Sequence, residues 1–337
     1  MSSTALISCE QAERTGITAL VRAGVPETNA RIQVDLLLEA EMRGRASHGM
    51  LRLPRVIQRI RNGVASATSE GTAVWQGRGL LSVDGEQGLG PVVALSALSQ
   101  ITARAKETGV AVAAIRNNNH LGMLALYAER VAAAGQVIIA LTTSEALVHP
   151  WGGRKAMVGT NPIAIGVPAQ PTPFVLDMAT GLISMGQVHD YANRGKPLQP
   201  GWALDVNGDP TLDAAAAREG AIAPFGGAKG YALGLSFEVL VAALTASALG
   251  TDVRGTLDAV HPCNKGDVFI VIEPACGGIV APISAYLDLL RVSPAADPSR
   301  PVIVPGDRAQ SQRARSTQQG VPIAPEVWRA IRDLAGE

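Results

Sequence analysis

Ala46-Ser47-His48-Gly49-Met50-Leu51-Arg52 sets one of the chain's five histidines among small and polar neighbours, which presents an imidazole for chemistry instead of packing it. If this stretch is helical, His48 and Arg52 lie one turn apart on one face, so a proton donor and a carboxylate-binding guanidinium share a space. A small anionic substrate follows from that pairing. A second stretch, Arg116-Asn117-Asn118-Asn119-His120-Leu121-Gly122, repeats the device in a different setting, directly after a β-branched run.

Outward from His48 the first seventy residues read as helix. Ser8 with Gln11 forms a capping box for a helix reaching about Arg22 and stopping near Gly24. A second helix spans about Glu27 to Met42, and a third runs from Leu53 to Gly63. Residues 71–308 change texture, with short apolar strands such as Leu80–Val83, Val110–Ile115, Val137–Thr142, Val268–Ile272 and Val302–Val304. Alanine-rich helices alternate with them, at Pro91–Lys106, Gly122–Ala134, Lys229–Leu249 and Ile283–Leu290, which predicts a layered α/β region around a mostly buried sheet. His120 then falls in a strand-end loop, where α/β folds place their sites. Residues 193–224, rich in Gly, Pro and Asp with a turn at Asn207-Gly208-Asp209-Pro210, read as a surface excursion. Residues 309–337 read as a polar, mobile tail to Gly320 and a last helix at Pro325–Leu334.

The 337 residues balance 29 basic against 29 acidic side chains, with 47% hydrophobic and 17% charged residues, enough apolar material for a large core. No basic run or basic-aromatic stripe supports nucleic-acid binding. No uncharged apolar stretch reaches the ~18 residues of a membrane span, and the N-terminus has no basic leader region. Cys9, Cys263 and Cys276 form no close pair and no metal-ligand spacing, which fits a reducing cytoplasm and no metal.

Gly85-Glu86-Gln87-Gly88-Leu89-Gly90 has the wrong order for a Gly-x-Gly-x-x-Gly fingerprint, so Rossmann-type dinucleotide binding is not supported. Phosphate would have to rest on other loops entering helices: His120–Leu124, Gly226–Gly230 and Pro305–Arg308. These segments occur in order with Val158–Ala164, Leu176–Thr180 and Val304–Asp307. Together with the two histidine stretches they resemble the malate/L-lactate dehydrogenase family of NAD(P)-dependent oxidoreductases, over residues 8 to 310.

The resemblance implies a non-Rossmann, L-sulfolactate dehydrogenase-like α/β fold, with a layered α/β/α cofactor domain and helical N- and C-terminal segments joined to each other. It implies a homodimer with the cofactor site near the subunit interface. It implies a hydride transfer between nicotinamide and C2 of a small 2-hydroxy/2-keto acid of malate, lactate or sulfolactate type. By the same resemblance Ser47 belongs to a polar relay, His48 is a proton donor, Arg52 clamps the substrate carboxylate and Thr160 contacts substrate. Some relatives give the acid/base role to the histidine matching His120, so both stand. Cofactor contacts fall on His120, Leu121, Gly122, Met123, Leu124, Ser144, Asp177, Met178, Ala179, Lys229, Gly230, Pro305, Gly306, Asp307 and Arg308. The cofactor is NAD or NADP, with Arg308 favouring NADP as a partner for a 2′-phosphate.

Two other readings compete. Relatives that reduce cyclic α-imino acids carry a relay aspartate where this chain has Gln187, with Asp190 as a possible substitute. A catalytically silent binding protein would have lost an acid/base group, and this chain keeps both histidines and Arg52. A second cation, from Arg154, Lys155 or Arg55, could reach an anionic substrate tail. His149, His189 and His261 read as structural or exposed.

Overall fold

Ser8 caps the first helix through its hydroxyl, which accepts a hydrogen bond from the Gln11 amide at 3.2 Å. That helix, α1 (Cys9–Arg22), leads to α2 (Glu27–Met42) and α3 (Leu53–Arg61), all within a residue or two of the sequence reading. Their inner faces meet in a core that includes Leu20, Val34, Leu37, Met50, Leu53 and Ile57. The computed structural model describes residues 5–274 and 279–337, so Cys276 lies outside the described residues.

A seven-stranded sheet forms the centre, in spatial order Thr72–Gln76, Leu80–Asp84, Val110–Arg116, Gly266–Ile272, Val137–Thr142, Ile163–Val167 and Phe174–Met178. Leu80–Asp84 and Val110–Arg116 run parallel, and every other neighbouring pair is antiparallel. Alternation along the strands divides two cores. Ala111, Ala113, Ile115, Phe269 and Val271 pack beneath α4 (Gly90–Thr108) and α5 (Ala125–Ala133). On the opposite face Val112, Val268 and Ile270 meet Phe237 and Val241. Those two residues belong to α7 (Ala228–Thr245), which follows α6 (Met185–Asn193). The layered α/β/α arrangement matches the expected fold class.

Some expectations give way. Residues 193–224 are more than a surface excursion, because Ala203–Leu204 and Ala221–Ile222 join Ala146–Val148 and Val158–Gly159 in a small sheet. That lobe has its own core of Val148, Val188, Leu198, Ala217 and Ile222. Val302–Val304 forms no strand; the Val304 amide donates instead to Asp307 Oδ2 at 3.1 Å, a local bond that replaces a ladder bond. After α8 (Val280–Arg291), the expected mobile tail is α9 (Asp307–Gln319). Arg313 anchors α9 to α2 by binding Glu39 through Nε and Nη2 at 2.9 and 2.6 Å. Val321–Ile323 then pairs antiparallel with Ala5–Ile7, and α10 (Pro325–Ala335) packs on α1 and α3.

Among the described residues one helix, α7, is long and apolar enough to cross a membrane by length and composition. It nevertheless carries a buried carboxylate, Glu238, which accepts hydrogen bonds from the Gly159 amide at 3.0 Å and Asn161 Nδ2 at 2.6 Å.

Candidate active site

The His48 stretch lies between α2 and α3, as the sequence reading has it, and is not itself an α-helix. It forms two 3-10 turns, Ala46–His48 and Met50–Arg52, hinged at an extended Gly49 (φ −93°, ψ −151°). Beneath the hinge Glu41 accepts the Met50 amide at 2.9 Å, and a Cβ on Gly49 would lie 2.2 Å from Glu41 Oε2. Only glycine fits over that carboxylate. Burial pushes the Glu41 carboxyl up to about 6.

The hinge still brings the key side chains together. Ser47 Oγ lies 3.0 Å from His48 Nδ1, which leaves His48 Nε2 for other partners. Arg52 donates from Nε to Ser47 O at 2.8 Å and from Nη1 to Thr256 O at 3.3 Å, leaving Nη2 uncommitted among the described residues. Desolvation, with Arg55 nearby, lowers Arg52 to about 10, so it stays cationic at neutral pH.

His120 arrives from the opposite side, after Val110–Arg116. Its backbone touches the start of α4 so closely that a Cβ on Gly90 would sit 2.2 Å from His120 O. The Gly122 amide donates to His120 Nδ1 at 3.0 Å. The two imidazoles face each other with centroids 5.5 Å apart and planes inclined by 34°. Desolvation first, then the Arg52 charge, holds both below the ordinary imidazole range, His48 at about 4 and His120 well below its usual value. Both are therefore neutral at pH 7 in the free protein. A cavity of about 30 Å³ opens beside His120, bordered by Arg52, Arg55, Gln33 and Thr256.

A second group of expected site residues lies along α7. Ser144 Oγ accepts the Thr160 amide at 2.9 Å and lies 3.0 Å from Thr160 Oγ1. Lys229 is exposed in the first turn of α7, and Gly230 is buried where a Cβ would meet Phe225 O. Glu145 joins this cluster to Arg52, a role the sequence reading missed. Its Oε1 accepts from the Thr256 and Leu257 amides, both at 2.8 Å, and so holds the loop whose carbonyl receives Arg52. Its neighbour Ser144, in a strand-end loop, was the available signal.

A third group surrounds a cavity of about 70 Å³ bordered by Arg43, Arg45, Met123, Asp177, Gly306 and Asp307. Asp177 Oδ2 accepts the Ala125 amide at the start of α5 at 2.8 Å, and burial raises its carboxyl. Asp307 is bound by Arg291 through Nε at 3.0 Å and Nη2 at 2.9 Å. The run His120–Leu124 links the two cavities: His120 borders one and Met123 the other, whereas Leu121 and Leu124 are buried in the core.

Other residues fall away from these cavities. Arg308 is exposed and borders neither. Arg154 is paired at the surface with Asp209, and Lys155 is exposed, which leaves Arg55 from the three candidate tail cations. Asp190 pairs with Arg194 at 2.8 Å. His149 meets Pro150 O, His261 meets Asp258 and His189 is exposed.

Comparison with known proteins defines the class first. A dehydrogenase from Sinorhizobium meliloti superposes with a TM-score of 0.95 at 49% identity, covering 98% of each chain. Sulfolactate dehydrogenase from Methanocaldococcus jannaschii gives 0.91 at 32% identity, covering 98% of this chain and 97% of the other. The (2R)-3-sulfolactate dehydrogenase (NADP(+)) of Chromohalobacter salexigens is 35% identical over 272 residues, 80% of this chain and 81% of its own. The sequence profile of malate/L-lactate dehydrogenase matches residues 7–332, and the chain belongs to that family. It is an oxidoreductase that works with a nicotinamide cofactor.

Proposed function

We propose that the chain interconverts a small 2-hydroxy acid and its 2-keto acid, with Arg52 holding the carboxylate, His48 exchanging the proton and His120 donating a hydrogen bond to the reacting oxygen. The observation that carries this reading is the pair of imidazoles 5.5 Å apart beside an arginine whose Nη2 is uncommitted among the described residues.

The division of labour between the histidines follows from tautomers. Because His120 Nδ1 accepts the Gly122 N–H, neutral His120 carries its proton on Nε2 and can only donate there. His48 has no such restriction, since the Ser47 hydroxyl can donate to Nδ1 or accept from it. Neutral His48 can therefore take the hydroxyl proton at Nε2 during oxidation and return it during reduction. A substrate carboxylate on Arg52 offsets the charge that depresses both imidazoles and eases protonation of His48. The cofactor supplies or accepts the hydride when bound. Thr160, held by Ser144, is the residue we assign to substrate contact on the strength of the family resemblance.

The residues around the larger cavity suit a dinucleotide. The Arg45 side chain has no protein partner among the described residues, and Gly306 (φ +98°) carries no side chain to fill the cradle. We favour NADP, on grounds other than Arg308: Arg291 neutralises Asp307, so no free carboxylate there repels a 2′-phosphate. Cys9 and Cys263 are free thiols, which suits a reducing cytoplasm.

The test is reduction of pyruvate and oxaloacetate with NADH and NADPH, run beside Δ1-pyrroline-2-carboxylate. Turnover of a keto acid is expected, and His48→Ala should lower kcat by roughly 10²–10⁴. Turnover of the imine alone would overturn the reading in favour of cyclic imino acid reduction. A mild His48→Ala with a severe His120→Asn would move the proton to His120.

A further inference from the structure

The cavity beside His120 contains a polar side chain that the reaction as described does not use. Gln33, on α2, is 3% exposed and borders the cavity with Arg52, Arg55 and His120. Its amide makes no hydrogen bond to protein among the described residues. The buried side-chain atoms there that are sealed from solvent without a partner are Asn118 Oδ1, Arg218 Nε and Ser247 Oγ. Neither amide atom of Gln33 is among them, so both border open space, and the cavity is the space Gln33 borders.

Asn119 and Arg59, which also border the cavity, are already occupied. Asn119 Nδ2 donates to Gln87 O and Gly88 O, and Asn119 Oδ1 accepts Arg59 Nε at 3.0 Å. Arg59 spends its other nitrogens on Asp258 O at 2.8 Å and Val64 O at 3.3 Å. The rest of the wall includes Leu37, Val56 and Leu89. In such a wall leucine would fill the place of Gln33 without leaving an amide away from water and unpaired. At about 30 Å³ the cavity has room for a terminal group of a few atoms.

We infer that Gln33 is a specificity-determining residue that reads the far end of the substrate, its Nε2 donating to an oxygen of a carboxylate or carboxamide at C4. An alkyl tail of the same shape leaves the amide unpaired, and a site built to hydrogen-bond rejects the analogue that cannot. Arg55, exposed at the cavity's edge, adds attraction if the tail is charged. The inference rests on the 2-hydroxy/2-keto acid reading above.

The experiment measures kcat/KM for oxaloacetate, 2-oxosuccinamate and 4-methyl-2-oxopentanoate, with pyruvate as the tailless reference. Gln33→Leu, and Gln33→Met as a second apolar variant, should lower the ratio of each polar-tailed acid to 4-methyl-2-oxopentanoate by roughly tenfold or more. In Gln33→Glu the carboxylate tail is repelled, so oxaloacetate should fall further than 2-oxosuccinamate. A wild type that reduces pyruvate while both apolar variants keep its ratios overturns the inference alone. Equal falls for the two polar tails in Gln33→Glu also overturn direct contact. A wild type that reduces none of the four acids removes the functional reading itself.

Discussion

At the scale of single residues, the depressed imidazoles make the reaction's pH dependence directional. With His48 as the proposed base, oxidation needs it neutral, so kcat/KM for the hydroxy acid should rise through about pH 4 and stay level across pH 6.5, where an unperturbed histidine would give an acid limb. Reduction needs His48 protonated, so its kcat/KM should fall as pH climbs above about 4. Stability carries the same sign. Between about 4 and 6.5 the unfolded chain binds the His48 proton that the folded chain refuses, so the folded state gains stability as pH rises through that window. Glu41 works the other way, because its raised carboxyl, at about 6, favours the folded state below that pH. Initial rates in both directions from pH 4.5 to 8 check the kinetic half. An oxidation limb centred near 6.5 would show that His48 is not held neutral. That Ser47, His48 and Arg52 would come together was legible, because they stand close in sequence among small residues. Gln33 and Glu145 were not, since a glutamine on a helix and a glutamate in a loop look like solvated polar groups until packing encloses them.

At the scale of elements, polarity misled where ion pairs do the fixing. α9 has hardly any apolar face, yet Arg313 on Glu39, and Gln310 on Glu129 at 3.2 Å, tie it to the body. Glu39 also receives Arg43 Nε at 3.1 Å, and the Arg43 side chain is only 6% exposed. Glu39→Ala should therefore cost about 1–3 kcal/mol, because it loosens α9 and leaves a buried guanidinium with Glu129 alone. Urea denaturation measures this, and a change within error would mean that α9 is held by other contacts. Helices with clear apolar periodicity, such as α1 and α2, were legible to within a residue. The His48 segment was not, because the extended Gly49 that splits it is imposed by the carboxylate of Glu41 beneath.

At the scale of the whole molecule, the α/β class could be read from alternating textures, but the sheet order could not. Gly266–Ile272 inserts between Val110–Arg116 and Val137–Thr142, a pairing made across more than a hundred residues that no local pattern encodes. The homodimer stays a proposal, now with a surface. Leu233, Leu235, Val239, Leu240 and Leu244 of α7 are exposed and form the kind of apolar patch that oligomers bury. Light scattering should find about twice the 34.9 kDa chain mass, and Leu240→Lys should shift the population to monomer. A monomeric wild type would remove that surface from consideration.

The pairing of Ala5–Ile7 with Val321–Ile323 has a consequence for biosynthesis. The helical layer carrying His48 is made first, yet the strand and helix that close over it are made last. A chain cut before residue 321 keeps His48, Arg52 and His120 but has no finished wall behind them. Loss of that wall should therefore silence turnover while leaving the residues of the site in the chain, an effect that a cut at residue 320 would measure.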